Sequence, residues 1–394
     1  MNNNVPKLRF KEFSDEWEEK KLGSIGEFFK GSGISKSDLS ESGKECILYG
    51  ELYTTYGEVI TSIRSKTDIS LKNAVLSKIN DVIIPSSGET AVDIATASCV
   101  MKDNVLLGGD LNVFRPNKDN GLFISYQLNN AKKKEIAKIA QGASVVHIYN
   151  EQLKKVKVDT PSLQEQEKIA NFFSILDELI EEQEGKVKDL ELYKKGMMQK
   201  IFKQEIRFKD DNGLDYPEWE EKKITEIFNI TRGQVIAKTS ISPIKIDRSI
   251  YPVYSSQTSN YGILGYDSSY DFDGEFLTWT TDGANAGKVF KRNGKFRCTN
   301  VCGLLVEKDI TKGFANEFIK EILEKETPKH VSYIGNPKLM NGVIGDIKIR
   351  IPLLEEQRKI ADFLSNIDKI VEEEKKNLAD LREMKKSLLQ QMFV

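Results

Sequence analysis

The residue types that most often carry chemistry are sparse in this chain and stand apart from one another. Its four cysteines are scattered, and although Cys298 and Cys302 are four residues apart, there are only two histidines, His147 and His330. A structural zinc site needs four closely spaced nitrogen or sulfur ligands. We therefore expect no metal site, and we interpret the cysteines as buried thiols of a reducing compartment.

Two other patterns that could indicate catalysis are also weak. Glu220 and Lys222 have a nuclease-like Glu-x-Lys spacing, but no acidic partner is suitably placed, and the surrounding EWEEKK favours a solvated surface. The segment GNPKLMNG (335–342) holds an Asn-Pro pair without the aromatic residue of an amino-methyltransferase motif, so we interpret it as a turn. The sequence contains no P-loop, dinucleotide fingerprint or nucleophile motif. These patterns argue against catalysis by this chain alone.

The overall charge and hydropathy narrow the class of protein further. The 58 Lys and Arg residues nearly balance the 60 Asp and Glu residues, so the net charge of −2 gives no bulk signal for nucleic acid. The opening MNNNVPKLRF lacks the apolar centre of a signal peptide, and no run approaches the ~18 apolar residues of a membrane helix. We expect a cytoplasmic protein that does not associate with membranes.

A repeated helical phrase organises the chain. The phrase LQEQEKIANFFSILDELI at 163–180 returns as LEEQRKIADFLSNIDKIV at 354–371. The match extends without a gap, so that 161–202 corresponds to 352–393. Internal repetition at this scale indicates two copies of one structural unit.

A second match lies upstream of each helical phrase. Trp17 corresponds to Trp219, and KGSGISK (30–36) stands opposite RGQVIAK (232–238). Beyond these segments the likeness fades. The chain is therefore a tandem of globular unit, long helix, globular unit and long helix.

The apolar residues of both helical copies alternate steps of three and four, which is the spacing of a coiled-coil seam. We predict that the helices pair antiparallel, with Ile169 near Met392 and Ile201 near Ile360. Each helix should run about 33 residues, or about 50 Å. The alternative is two amphipathic helices that each lie on their own domain. The seam residues are Ile169, Phe173, Leu176, Ile180, Val187, Leu190, Ile360, Leu364, Ile367, Val371, Leu378 and Leu381.

The sequences of both globular units predict a mixture of strands and helices. Short apolar runs such as VIIP, LNVFRP and VCGLLV predict strands, and helical patterns lie near 123–140 and 314–326. The predicted fold class is α+β, with two tandem mixed α/β domains separated by two long helices that form an antiparallel coiled coil. The predicted boundaries are 1–160 and 205–351 for the domains, and 161–204 and 352–394 for the helices.

These motifs together resemble the specificity subunits of type I restriction–modification enzymes. The resemblance rests on VDTPSLQEQEKIANFFSILDELI and IRIPLLEEQRKIADFLSNIDKIV, each preceded by GASVVHIYNEQLKKVKV or GNPKLMNGVIGDIKI, and it covers essentially the whole chain. It implies two target-recognition domains, each reading one half of an asymmetric split site in double-stranded DNA. It also implies that the paired helices set the spacing and dock two methylation subunits, which carry S-adenosylmethionine, and that restriction subunits join them.

On this resemblance the chain itself is non-catalytic and binds no cofactor. Two other hypotheses compete with it. One is a coiled-coil scaffold that does not bind DNA, and the other is an unrecognised enzyme with twin α+β domains. The candidate DNA contacts are basic residues beside the glycine turns and polar residues in loops that offer hydrogen bonds to base edges. They are Lys30, Lys36, Ser86, Ser87, Glu89, Thr90, Arg232, Lys238, Ser255, Ser256, Gln257, Thr280, Asp282 and Asn285.

Overall fold

The computed structural model describes residues 4–70, 72–142 and 145–394. Two residues of the GASVVHIYN segment, Ala143 and Ser144, lie outside the described residues. The chain forms two compact units, one of Met1–Gly185 with Lys376–Val394 and one of Lys186–Lys375. Each unit thus combines one globular part with a piece of each long helix. Within the described ranges no helix is both long enough and apolar enough to cross a membrane.

The first unit is built on a five-stranded sheet in the order β2-β11-β7-β9-β5 and a four-stranded sheet in the order β10-β4-β6-β3. Strands β1 and β13 pair antiparallel, as do β8 and β12. The strands are β1 Glu18–Lys21, β2 Gly26–Lys30, β3 Leu39–Ser40, β4 Lys44–Ile47, β5 Val59–Ile60, β6 Ser65–Thr67, β7 Asp81–Pro85, β8 Ser87–Gly88, β9 Ser98–Val100, β10 Leu106–Leu107, β11 Leu111–Pro116, β12 Val146–His147 and β13 Lys157–Thr160. The helices are α1 Leu22–Ile25, α2 Glu51–Thr54, α3 Ala91–Ile94, α4 Gly121–Asn129, α5 Lys133–Ile139, α6 Asn150–Leu153 and α7 Leu163–Phe202.

The second unit contains one six-stranded sheet in the order β15-β20-β18-β19-β16-β17 and an antiparallel pair of β14 with β21. Its strands are β14 Glu220–Lys223, β15 Phe228–Arg232, β16 Tyr251–Tyr254, β17 Ile263–Asp267, β18 Phe272–Thr280, β19 Val289–Cys298, β20 Cys302–Glu307 and β21 Lys348–Ile351. Its helices are α8 Ile224–Ile227, α9 Glu317–Glu326 and α10 Asn341–Asp346, and the second long helix of the chain is α11 Leu354–Met392, which like α7 belongs partly to each unit. The predicted α+β class is confirmed.

The predicted helix near 123–140 is wrong in one respect, because α4 and α5 are separate helices. Two asparagines lie at the break, and their side chains bind nearby backbone carbonyls. Asn129 Nδ2 donates to Ser125 O at 3.0 Å, and Asn130 Nδ2 donates to Tyr126 O at 2.8 Å. Such local bonds compete with the helical ladder, and apolar periodicity alone does not reveal them.

The long helices α7 and α11 have 40 and 39 residues, or about 60 Å each at 1.5 Å per residue. They exceed the expected 33 residues because the first turns, which hold the buried pairs Glu165–Gln166 and Glu356–Gln357, are also helical. In each unit the two helices run antiparallel, as predicted. Glu184 pairs with Arg382 in the first unit, and Glu191 pairs with Lys375 in the second.

Equivalent aromatic clusters close the two cores. In the first unit the Phe393 ring lies 5.2 Å from the Phe123 ring and 6.3 Å from the Trp17 ring, measured between centroids. In the second unit Phe318 lies 5.9 Å from Phe202 and 5.4 Å from Trp219. The end of each long helix is therefore part of a domain core, as well as part of the helix pair.

Two equivalent lysines of the long helices, Lys385 and Lys194, make ion pairs that repeat in the two units. Lys385 Nζ contacts Asp177 and lies 3.0 Å from Glu58 Oε2 in the first unit. Lys194 Nζ lies 2.7 Å from Asp368 Oδ1 and 2.9 Å from Glu321 Oε1 in the second. Burial acts to lower the pKa of each lysine, but the carboxylates outweigh it and raise the pKa above its ordinary value. A half-buried cation with a carboxylate partner on the facing helix favours one register.

A buried arginine–glutamate pair anchors the start of each long helix. Arg9 Nε and Nη2 donate to the two Glu165 carboxylate oxygens at 2.7 Å each, and Glu165 is almost fully buried. Arg207 binds Glu356 in the same two-pronged way, at 3.2 and 2.8 Å. Each arginine also donates to a backbone carbonyl, Asp15 O at 2.6 Å in the first case. Bidentate geometry makes these pairs strong and directional.

Replacing Glu356 by alanine should lower the free energy of unfolding by about 1.5–3 kcal/mol, because Arg207 would lose both charge-assisted hydrogen bonds to its buried partner and keep only the exposed Glu218 as an ion-pair partner at 4.0 Å. Urea unfolding of the full chain, followed by tryptophan fluorescence, measures the change. The control is Glu221→Ala, which removes an exposed pair with Lys348 and should cost at most about 1 kcal/mol. Equal losses in the two variants would contradict a structural role for the buried pair.

Candidate nucleic-acid interface

Two glycine turns occupy equivalent backbone positions in the two units. The Gly31 N–H donates to Leu111 O at 3.0 Å, and the Gly233 N–H donates to Cys302 O at 3.2 Å. A Cβ added at Gly31 would lie 1.8 Å from the Gly108 carbonyl oxygen, and one at Gly233 would lie 2.0 Å from the Cys298 carbonyl oxygen. Only glycine permits such a close approach.

These turns place the four predicted basic residues in corresponding positions. Lys30 and Arg232 end strands β2 and β15, directly before the glycines. Lys36 and Lys238 each begin a short 3₁₀ turn further along, and both are exposed. Burial lowers the pKa of Lys30, an effect that the nearby Asp110 carboxylate opposes. Arg232 Nε donates to Asn341 Oδ1 at 2.8 Å, so its side chain is partly committed within the protein.

The two predicted polar segments of the second unit, 255–257 and 280–285, come together although they are separate in sequence. The Ser256 hydroxyl donates to Val301 O and accepts from the Thr281 N–H at 3.1 Å. Asn285 Nδ2 donates to Thr258 Oγ1 at 3.0 Å. The loops that follow β16, β18 and β19 therefore converge on one polar surface.

Within this polar surface, the side chains differ in how many of their hydrogen-bonding atoms remain available to a ligand. Ser255 bonds to Thr299, the Gln257 amide donates to Ile263 O, and the buried Thr280 hydroxyl donates to Asn285 O. Asn285 is exposed and Asp282 is half-buried. Ser256, Gln257 and Thr280 thus mainly shape the loops.

The predicted residues of the first unit separate into buried and exposed pairs. Ser86 and Ser87 are buried, and Ser87 belongs to β8, which pairs with β12. Glu89 and Thr90 are exposed, and the Thr90 hydroxyl accepts from the Asp93 N–H at 3.1 Å as the cap of α3. The sequence composition predicts one exposed polar loop at 86–90. In the structure the first half of this segment is buried and includes strand β8.

Glu89 shares a cleft with Lys36 in the first unit. The cleft has a volume of about 680 Å³, and its walls also include Tyr49, Tyr53 and Asp110. Aromatic faces beside charged and hydrogen-bonding groups can bind nucleobases. The structure thus brings two of the predicted residues of this unit, Lys36 and Glu89, to one site.

Two equivalent segments, around Ile148 and Leu339, also lie beside the candidate contacts, a position that sequence reasoning missed. The Ile148 N–H donates to Ser86 O at 3.0 Å, and the Leu339 N–H donates to Thr281 O at 2.9 Å. On either side of these buried residues, His147 and Tyr149 in one unit correspond to Lys338 and Met340 in the other. Both segments precede the last strand of their unit, which is a sequence signal of their equivalence, but the interpretation of 335–342 as a turn does not predict that it meets the candidate interface.

The clusters of potential metal ligands are occupied by other interactions. Glu317, Glu321 and Asp368 place carboxylate oxygens close together, but Lys320 and Lys194 bind these carboxylates. The Sγ atoms of Cys298 and Cys302 lie 3.5 Å apart as buried free thiols. The polar surface of the second unit and the cleft of the first unit offer hydrogen bonds and cations. These features suit recognition of a large polar ligand.

The chain belongs to the family of type I restriction modification DNA specificity domains. The family model matches it twice, over residues 14–192 and 216–382. As a member, it is a DNA sequence-specificity subunit without a cofactor of its own, and catalysis lies in the partner subunits. The partners of this class of subunit are DNA and the methylation and restriction subunits.

Relatives agree with this assignment, and a solved structure has the same fold. A putative type I specificity subunit of Mycoplasma pneumoniae is 35% identical over 238 residues, which cover 60% of this chain and 91% of the relative. The specificity subunit of a type I enzyme of Methanocaldococcus jannaschii is 24% identical over 95% of this chain and 91% of its own length. The fold matches the crystal structure of a type I S subunit from M. genitalium with a TM-score of 0.68 and 18% identity, covering 99% of both chains.

Proposed function

We propose that the two domains each read one half of an asymmetric, split site in double-stranded DNA, 1–160 one half and 205–351 the other. The observation that carries this proposal is the equivalence of the Gly31 and Gly233 turns beside loops that differ. Equivalent backbones would meet the duplex in the same way, while different side chains would prefer different bases.

The predicted contacts divide by chemistry. Lys30, Lys36, Arg232 and Lys238 would bind phosphates, which position the protein without reading sequence. Glu89, Thr90, Ser255, Asp282 and Asn285 would meet base edges. The remaining candidates, Ser86, Ser87, Ser256, Gln257 and Thr280, are buried or bonded to the backbone, and we assign them to loop support.

We further propose that the paired helices set the spacing and dock two methylation subunits, which bind S-adenosylmethionine, and that restriction subunits join this cytoplasmic complex. Support comes from the apolar residues Phe172, Ile175 and Leu179, which lie on one face of α7 and are exposed. Their counterparts on α11 are Phe363, Asn366 and Ile370, of which Ile370 is also exposed. The two faces share an exposed apolar residue at equivalent positions, Leu179 and Ile370, which would suit two copies of one partner.

Genome-wide mapping of methylated adenines, in cells that express the partner subunits with or without this chain, tests the proposal. A split asymmetric motif should be methylated only when the chain is present. Ile175→Glu should abolish this methylation and co-purification with the methylation subunit, because it places a charge in an apolar interface. The control Ile310→Glu changes another exposed isoleucine outside the long helices and should leave both intact. Methylation without the chain, or an assembled I175E complex, would contradict the proposal.

A further inference from the structure

The loop between β16 and β17 contains an unusual run of backbone conformations. Asn260, Tyr261 and Gly262 all have positive φ values, of 48°, 51° and 82°. Glycine adopts this region freely and asparagine tolerates it, but a tyrosine there is strained. Strain of this kind persists only where the surroundings enforce it, and it is concentrated at functional sites.

The strained tyrosine is also displayed to solvent. The Tyr261 side chain is 72% exposed, so burial of its ring does not compensate for the backbone conformation. The Ser255 N–H donates to Gly262 O at 3.1 Å and closes the loop. The fold therefore holds an aromatic side chain outward in a fixed position, which lowers the entropy lost when a ligand binds it.

A buried arginine enforces this conformation. Arg292 is only 5% exposed, and its Nη1 donates to Tyr261 O at 2.7 Å. Its Nε donates to Thr278 Oγ1 at 3.0 Å, and its guanidinium lies 3.6 Å from the centre of the Tyr254 ring. Among the residues that the structure describes, Arg292 makes no ion pair. A buried cation is costly, and this one is used to fix a loop carbonyl.

The loop adjoins the polar surface that was assigned to base reading. Thr258, two residues before Asn260, accepts from Asn285 Nδ2 at 3.0 Å. Gln257 bonds to Ile263 at the other end of the same loop. Tyr261 is therefore the exposed aromatic member of a surface whose other members are polar.

We propose that Tyr261 is a specificity-determining contact to the half-site read by 205–351, and that Arg292 is its positioning residue. The inference rests on the proposed function of this domain. The phenol would stack on a base or sugar with its ring and donate or accept through its hydroxyl. The left-handed turn fixes the direction of the ring, so the contact depends on the sequence beneath it.

The test uses the complex assembled with the methylation subunits and measures methylation of duplexes with single base changes in either half-site. Tyr261→Ala should reduce discrimination at one or two positions of the second half-site by roughly 10-fold, and leave the first half-site unchanged. Tyr261→Phe separates the hydroxyl from the ring. The control is Tyr270→Ala, at the opposite end of the β16–β17 hairpin, where Tyr270 packs on Tyr251, and it should change neither half.

Arg292 is tested by its coupling to Tyr261. Arg292→Met should relax the same positions as Tyr261→Ala, and the double variant should relax them no further, because the two residues act as one unit. Arg292→Lys should restore part of the discrimination. Additive losses, or a loss spread over both half-sites, would show that Arg292 only supports the fold.

The outcomes also separate this inference from the function on which it rests. If the wild-type complex reads a second half-site and Tyr261→Ala reads it equally well, Tyr261 is not a specificity contact. If Tyr261→Ala fails to assemble with the methylation subunits, the residue contacts protein and the inference is overturned. If the wild-type complex shows no half-site that depends on 205–351, the proposed function itself is wrong.

Discussion

Exchanging residues 1–160 for the first domain of another family member should replace one half of the methylated sequence and leave the other half unchanged. The reason is that the predicted base contacts of the two domains lie in separate loops, and each good bidentate contact discriminates by about 1–3 kcal/mol. Methylation mapping with the assembled chimera measures both halves at once. This is the largest change in specificity that we expect from any single replacement.

The chimera must preserve the contacts that cross its boundary. Arg9 binds Glu165, and Trp17 and Phe123 pack on Phe393, so the donor domain should carry arginine, tryptophan and phenylalanine at these positions. The reciprocal exchange of 205–351 should change only the other half-site. If either exchange altered both halves or neither half, independent reading by the two domains would have to be abandoned.

Lengthening both long helices by one heptad should widen the gap between the half-sites without changing their sequences. The insertions belong after Gly185 and after Lys375, at the residues where each long helix passes from one unit to the other. Seven residues preserve the seam and add about 10 Å at 1.5 Å per residue, or about three base pairs at 3.4 Å each. Methylation mapping of the variant gives the new spacer directly.

An insertion in α7 alone is the matched control for this experiment. It would shift the seam on one side only and break pairs such as Lys194 with Asp368, so it should destabilise the protein and prevent assembly. An unchanged spacer in a stable variant with both insertions would show that the helices do not set the spacing.

The long helices were predictable because their signal is local and repeated. A heptad pattern that recurs in two copies specifies helix and seam without any knowledge of distant residues. The antiparallel direction followed from the connectivity, and the structure agrees with it. The sequence also contained the identities Trp17/Trp219 and Phe202/Phe393, but identities alone do not tell which phenylalanine packs on which tryptophan. That choice depends on contacts between residues far apart in the chain.

The candidate interface was less predictable, for the same reason. Ser86 and Ser87 appear in a polar run that resembles a loop, yet pairing with residues near His147, some 60 positions later, makes them part of a buried sheet. The role of Arg292 was invisible, because its partners Tyr254, Tyr261 and Thr278 lie on other strands and loops. Composition gives the chemical type of a side chain but not its neighbours.

The position of Phe393 in the first unit has a consequence for the order in which the protein is made. Trp17, Phe123 and Phe173 all emerge from the ribosome early, but the ring that packs against them belongs to the segment Lys376–Val394. That segment is translated only after the whole of the second unit, which takes roughly 10–40 s at about 5–20 residues per second. The domain that is synthesised first is thus the last to complete its core, and an interrupted translation leaves it with an open apolar face that chaperones and proteases can recognise.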